Sequence, residues 1–67
     1  MVIDTRLGPL EAEVTHDSKD RRWWAFLTKA PAALRHGGPT MAAGESSSVA
    51  LTALTLAIDA FLAERSA

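Results

Sequence analysis

The residues with the most evident capacity for chemistry form a basic and aromatic run, Arg-Arg-Trp-Trp at residues 21–24. Indole faces can stack on nucleic-acid bases and guanidinium groups can meet phosphates, but Asp17 and Asp20 are close in sequence and would repel a phosphate backbone. Tryptophan and arginine are also enriched at the centres of protein interfaces. We therefore expect this run to contact a protein partner, and we expect no direct binding of nucleic acid.

Side chains that could catalyse a reaction are scattered along the chain. Ser46, Ser47 and Ser48 precede a helical pattern and are better explained as helix-capping residues. His16 and His36 lack the spacing of metal ligands, and the chain has no cysteine. No nucleophile elbow, zinc-binding helix or Gly-rich phosphate loop is recognisable. We expect a protein that is not an enzyme and that binds neither a metal nor another cofactor.

Length and composition indicate one small domain over residues 1–67, with a formal net charge of −1 and a pI near 6.0. A chain this short has room for one modest core. No secretory signal is recognisable at its start, and the most apolar window, residues 49–63, contains Asp59 and is too short to span a bilayer. We expect a cytoplasmic protein without a membrane partner.

Alternating side chains predict a half-buried strand over residues 10–16. Its apolar residues share one face, whereas Glu11 and Glu13 lie on the other. Gly8-Pro9 predicts a break before this strand, and the short polar side chains of residues 17–20 predict a turn after it. A β-hairpin is the expected result.

The aromatic run continues into a second alternating segment, residues 22–28. Trp23 lies on one face of this expected strand, and Trp24 and Phe26 lie on the opposite face with Arg22. One of the two tryptophans must therefore leave the core, and we expect Trp24 and Phe26 to be exposed. The candidate partner-binding residues are Trp24, Phe26, Arg22, Glu11 and Glu13.

The second half of the chain predicts a loop and then one helix. Residues 29–44 are rich in Ala, Gly and Pro, with a short edge strand expected over residues 40–43. The helix is expected to begin with Ser46 or Ser47 as its cap and to end near Arg65.

The expected helix has apolar residues over an unusually wide arc. Its core face is predicted at spacings of three and four, at Ala50, Leu54, Ala57, Ile58, Phe61 and Leu62. Asp59 is expected in a solvated polar stripe. A second apolar stripe consists of Val49, Ala53, Leu56 and Ala60. These residues either fill the edge of the core or form a surface for a homodimer or another partner.

Two segments carry a resemblance to a known family. Residues 20–33, Asp-Arg-Arg-Trp-Trp-Ala-Phe-Leu-Thr-Lys-Ala-Pro-Ala-Ala, resemble without a gap the D-G-G-Y-x-A-x-V-P-D-L-P-G-C signature of the HicB-like antitoxin N-terminal domain. Residues 44–51, Gly-Glu-Ser-Ser-Ser-Val-Ala-Leu, are similar to that family's G-D-T-x-E-E-A-L, and residues 57–59 to its A-I-E. The resemblance implies a three-stranded antiparallel sheet with one helix packed across it, here in a stand-alone form that lacks the C-terminal DNA-binding segment.

The fold expected from the patterns and the resemblance together is an α+β domain. It has a small antiparallel sheet of three to four strands and one C-terminal helix packed across the sheet, in the order β-β-β-α.

The expected function is that of a non-enzymatic inhibitor. The resemblance implies an antitoxin that neutralises a toxin nuclease by steric occlusion. The alternative is a phage- or mobile-element-encoded inhibitor of the anti-CRISPR type, which binds a CRISPR effector subunit and whose acidic strand imitates a phosphate backbone. A third class is a stand-alone module that binds single-stranded nucleic acid.

Overall fold

A four-stranded antiparallel sheet is crossed by a single helix in the computed structural model, which describes residues 1–66. The elements are strands β1 (Val2–Thr5), β2 (Gly8–Asp17), β3 (Arg22–Leu27) and β4 (Met41–Gly44), a 3₁₀ helix at Ala32–Leu34, and helix α1 (Ser47–Ser66). The strands lie side by side in chain order. The predicted α+β class is confirmed, with β-β-β-β-α as the observed order.

The first hairpin turns earlier than the sequence suggested. The expected break at Gly8-Pro9 is wrong, because both residues belong to β2 and the turn consists of Arg6 and Leu7. Thr5 explains the shift, since its Oγ1 accepts a hydrogen bond from the Leu7 N–H at 3.1 Å and donates one to the Gly8 carbonyl at 3.0 Å. Gly8 completes the turn with a φ of 96°, which is a left-handed value that suits glycine.

The second hairpin forms as the sequence predicted. The Asp17 carboxylate accepts a hydrogen bond from the Lys19 N–H at 2.9 Å, so a short polar side chain holds the turn. Strand β2 belongs to both hairpins. Its residues 8–11 pair with β1, and its residues 12–17 pair with β3. The long strand therefore connects two offset halves of the sheet.

The core lies between α1 and one face of the sheet. Strands β1, β2 and β3 contribute buried side chains, and β4 contributes the partly buried Ala42. The buried set is Ile3, Ala12, Ala25, Leu27, Leu34, Ala50, Leu54 and Ile58. Leu34 comes from the segment expected to be a plain loop, yet only 1% of it is exposed. The 3₁₀ helix holds it, through hydrogen bonds from the Leu34 N–H to the Pro31 carbonyl at 2.9 Å and from the Gly38 N–H to the Leu34 carbonyl at 3.2 Å.

Helix α1 begins as the sequence predicted. Ser46 is its cap, because Ser46 Oγ accepts a hydrogen bond from the Val49 N–H at 3.2 Å, and the Ser46 carbonyl accepts one from the Ala50 N–H at 3.0 Å. The predicted core face is confirmed at its centre, where Ala50, Leu54 and Ile58 are fully buried.

Helix α1 has the expected length, but the prediction that its apolar part, residues 49–63, is too short to span a bilayer is wrong. By length and composition, Ser47–Arg65 is apolar enough to cross a membrane, with a mean hydropathy of 1.4. One such helix is weak evidence for a membrane, since the core helix of a soluble domain passes the same test. Here Ala50, Leu54 and Ile58 are buried against the sheet, and 17% of the apolar window is buried in all. The cytoplasmic location stays a prediction.

Gly44 is where the end of β4 meets the start of α1. A Cβ on this residue would lie 2.7 Å from the Ala50 backbone nitrogen and 2.9 Å from the Val49 carbonyl carbon. Neither atom belongs to a flexible side chain, so the strand and the helix would have to move apart. The close approach of strand and helix at this corner therefore requires glycine.

We expect Gly44→Ala to lower the free energy of unfolding by about 1–3 kcal/mol, a typical cost of overpacking. Chemical denaturation measures the change. Glu45→Ala is the control, because Glu45 is the exposed next residue and its replacement should change stability by less than about 0.5 kcal/mol. Equal stability of the two variants would contradict the close packing at Gly44.

Candidate partner-binding face

The side of the sheet opposite α1 is the candidate functional surface, and we call it the open face. Among residues 1–66, the only long helix packs on the core side of the sheet. Side chains alternate along each strand, so every second residue points to the open face. Strand register then determines which of these residues are neighbours.

The β3–β4 side of the open face is apolar. Phe26 pairs with Met41, and Trp24 pairs with Ala43. Paired residues have Cβ atoms about 5 Å apart, and residues two apart on one strand are separated by about 7 Å, so the four side chains are neighbours. Trp24 and Phe26 are partly exposed, and Met41 is 56% exposed. The structure therefore places Trp24 and Phe26 on the open face, where the alternation put them.

The β1–β2 side of the open face is acidic. Glu11 and Glu13 are exposed there, with Glu11 opposite Val2 and Glu13 opposite Phe26. Asp4 is exposed on the same face of β1, two residues from Val2. The open face thus joins an acidic half to an aromatic half, and the Glu13–Phe26 pair forms their border.

Arg22 lies at the end of the open face near the second hairpin. It is exposed and directly opposite Asp17, so a basic and an acidic side chain are cross-strand neighbours. A depression of about 200 Å³ beside it is lined by Arg22, Ala43, Gly44 and Glu45. All five candidate residues from the sequence therefore lie on one face of the sheet.

Met41 and Asp4 also belong to the open face, although the sequence alone does not place them there. The expected edge strand gives Met41 no facing direction, and no pattern gives Asp4 a role. Their positions depend on the pairing of β4 with β3 and of β1 with β2. A signal was present in the alternation of Met41 with Ala42 and Ala43, but three residues are too few to determine a register.

The second apolar stripe of the helix faces away from the sheet. Val49 is 50% exposed and Leu56 is 64% exposed, Ala60 is exposed, and Ala53 is partly exposed. Val49 and Leu56 do not fill the edge of the core, so the stripe is a surface. Its use in a homodimer stays a prediction.

The residues considered for catalysis do not come together. Ser46 Oγ caps the helix and lies 3.2 Å from Ser48 Oγ, whereas the His16 ring lies beside the Trp23 ring with their centroids 5.1 Å apart. Asp59 was expected to be solvated. Instead its Oδ1 accepts a hydrogen bond from the Arg6 N–H at 2.9 Å. Within the described part of the chain, no three His, Cys, Asp or Glu side chains are grouped so that they could hold a metal ion.

Comparison with known proteins gives no family for this chain: no family model matches it, and neither a curated protein nor a solved structure matches it.

Proposed function

We propose that this chain is a non-enzymatic protein-binding module that inhibits a partner acting on nucleic acid, by covering the partner's surface with the open face. The observation that carries the proposal is the group formed by Trp24, Phe26 and Met41 on a sheet face that α1 leaves uncovered. Aromatic residues and methionine are enriched in protein interfaces.

The size of the molecule supports contact through one whole face. Its principal extents are 38 × 19 × 18 Å, so a broad face measures about 700 Å², close to the roughly 800 Å² that each partner buries in a standard interface. A contact face of that area with aromatic residues in it is typical of a specific complex. Small size and a flat face favour steric occlusion of a partner over catalysis by the chain itself.

The charge of the open face supports the class of partner. Asp4, Glu11 and Glu13 form an acidic half beside the aromatic half. Proteins that act on nucleic acid carry Lys and Arg for phosphate contacts, and such a surface is complementary to this half. Both expected partner classes, a toxin nuclease and a CRISPR effector subunit, act on nucleic acid, so the acidic half supports either.

Two backbone positions support the HicB-like resemblance. Arg21 aligns with the first glycine of the D-G-G signature, and its φ is 54°, a left-handed value that glycine adopts without strain. Gly44 aligns with the glycine of the second motif and lies at the crowded corner of β4 and α1. Both positions call for glycine on physical grounds, which favours an antitoxin-like inhibitor as the first candidate.

We expect Arg21→Gly to stabilise the protein. The left-handed conformation costs a non-glycine residue about 1–2 kcal/mol, which the substitution recovers. The greater freedom of glycine in the unfolded chain lowers the stability by about 0.4–1 kcal/mol and so offsets part of this gain. The net increase should be up to about 1.5 kcal/mol, or several degrees in the melting temperature of so small a domain.

Arg22→Gly is the matched control for Arg21→Gly. Arg22 begins β3 and is not among the residues with a positive φ. Glycine should therefore destabilise this position by roughly 0.5–1 kcal/mol. Melting temperatures that move in the same direction for the two variants would contradict the assignment of backbone strain to Arg21.

Capture and inhibition assays test the proposed function. The tagged chain is used as bait in a nuclease-treated host lysate, so that nucleic acid cannot bridge two proteins. We expect one partner to be recovered at a defined stoichiometry, and its cleavage or binding of nucleic acid to fall to background when the chain is added in equimolar amount. Gel-shift assays with single- and double-stranded oligonucleotides should show no binding by the chain alone. Tight, salt-sensitive oligonucleotide binding without a protein partner would contradict the proposal.

A further inference from the structure

A cleft of about 570 Å³ lies at one end of the molecule and plays no part in the open face. Three segments that are distant in sequence form its walls: the β1–β2 turn, the 3₁₀ helix with His36 two residues beyond its end, and the last turns of α1. The lining residues are Arg6, Leu7, Ala32, Ala33, His36, Leu62 and Arg65. Its volume falls in the range of about 300–1,000 Å³ that small-molecule sites occupy, and it is an open cleft, since every lining residue except Leu62 is exposed.

The first two walls of the cleft are held in place by contacts with other parts of the chain. The β1–β2 turn is attached to α1 by the hydrogen bond from the Arg6 N–H to Asp59 Oδ1, at 2.9 Å. The 3₁₀ helix is held by the buried Leu34 side chain and by a bond from Arg35 Nε to the Ala30 carbonyl at 3.2 Å. The cleft therefore forms with the fold and does not require a ligand to create it.

The third wall presents an oriented guanidinium group. The Cζ atom of Arg65 lies 5.5 Å from the centroid of the Phe61 ring. An arginine over an aromatic face keeps the N–H donors along its edge available for a carboxylate or a phosphate. The Phe61 ring thus positions Arg65 and leaves its hydrogen-bonding capacity free to face a ligand.

The polar side chains of the lining are hydrogen-bond donors. The polar members of the lining are Arg6, His36 and Arg65, all able to donate hydrogen bonds, and no carboxylate is among them. The nearby Asp59 carboxylate accepts a hydrogen bond from the Arg6 N–H through Oδ1 and keeps its negative charge, so it offsets one of the two guanidinium charges. The partial negative charge of a helix C-terminus is about half a unit, so together with Asp59 it remains smaller than the charge of the two guanidinium groups. An anionic group is therefore favoured at this end of the molecule.

The remaining lining is apolar and belongs to Leu7, Leu62, Ala32 and Ala33. We propose that the cleft binds a small amphipathic anion, with a single carboxylate or phosphate monoester head between Arg6 and Arg65 and an apolar body along the leucine and alanine side chains. This site is independent of the proposed function, because its residues lie outside the open face.

Methyl NMR titration tests the cleft directly. Octanoate and octyl phosphate, each below its micelle concentration, are the probes, and octanol is the matched neutral compound. We expect saturable shifts at Leu7, Leu62, Ala32 and Ala33 with either anion, while Met41 on the open face stays unchanged. The head group that binds more tightly identifies the chemical source of the ligand. Octanol should bind at least about tenfold more weakly, because it lacks a charge-assisted hydrogen bond.

Variants of the two arginines complete the test. Arg6→Gln combined with Arg65→Gln should weaken octanoate binding by at least about tenfold. Gln keeps the backbone N–H of residue 6 and with it the bond to Asp59, so the turn should stay attached. Arg22→Gln, on the open face, is the control and should bind like the parent. The two single variants are measured as well, in case the double variant unfolds.

Three results would overturn the proposal. One is the absence of saturable shifts in the cleft at millimolar octanoate and octyl phosphate. Another is equal affinity for octanol and octanoate, and the third is unchanged octanoate affinity in folded single or double arginine variants. None of these results bears on partner capture by the open face, so the failure of one proposal leaves the other standing.

Discussion

Leu54→Ala is expected to remove most of the stability of this domain. Leu54 is fully buried at the centre of α1, between Ala50 and Ile58. Truncating a buried leucine costs about 2–5 kcal/mol, whereas a chain of 67 residues is expected to have a total stability of roughly 3–10 kcal/mol. We expect the melting temperature to fall by at least about 10 °C, and the variant to be largely unfolded near body temperature.

Leu56→Ala is the matched control for Leu54→Ala. The same side chain is removed two residues further along the same helix, but Leu56 is 64% exposed, compared with 0% for Leu54. Its replacement should change the free energy of unfolding by less than about 0.5 kcal/mol. Thermal melts of the two variants by circular dichroism compare them directly. Similar melting temperatures would show that the core face of α1 has been assigned incorrectly.

These two leucines also illustrate what the sequence could predict. The spacing of four through Ala50, Leu54 and Ile58 predicts the core face correctly, although apolar residues cover an unusually wide arc of the helix. Ser46 was one of two serines suggested as the cap, and a single hydrogen bond from the Val49 N–H distinguishes it. Local patterns were sufficient wherever one periodicity or one side chain determined the structure.

Features that depend on one side chain against another element could not be predicted in this way. The first turn was misplaced because Gly8-Pro9 is a strong break signal, whereas the hydrogen bonds of Thr5 shift the turn to Arg6 and Leu7. The Ala-, Gly- and Pro-rich composition around Leu34 predicts a plain loop, although this side chain is buried. A single large apolar residue in such a segment is itself a signal that the segment returns to the core.

The two candidate sites differ in how much of each the sequence could reveal. Alternation placed Trp24 and Phe26 on one face of a strand, and the sheet register added Met41 beside them. The cleft, in contrast, brings together Arg6, His36 and Arg65, which have no sequence relationship to one another. Only the folded chain makes them neighbours, so no motif could have indicated that site.

Trp24→Ala is expected to abolish capture of the protein partner while the domain stays folded. Trp24 lies in the aromatic half of the open face, between Arg22 and Phe26 on its own strand and opposite Ala43 on β4. Truncating a large aromatic residue at an interface centre commonly costs more than about 2 kcal/mol, or a loss of affinity of about thirtyfold. Its cross-strand contacts contribute only about 0.2–1 kcal/mol to folding, so the variant should retain a cooperative melt.

Charge-reversal variants separate the two halves of the open face. Glu11→Lys combined with Glu13→Lys should weaken the partner complex and reduce its dependence on salt, if the acidic half meets basic residues of the partner. Leu56→Ala, on the opposite side of the molecule, should capture the partner as the parent does. Quantitative mass spectrometry of the captured proteins, followed by calorimetric titration of the identified partner, measures all three variants against the parent. If a folded Trp24→Ala variant recovers the same partner with unchanged affinity, the open face is not the binding surface, because no interface centred on that indole could tolerate its removal.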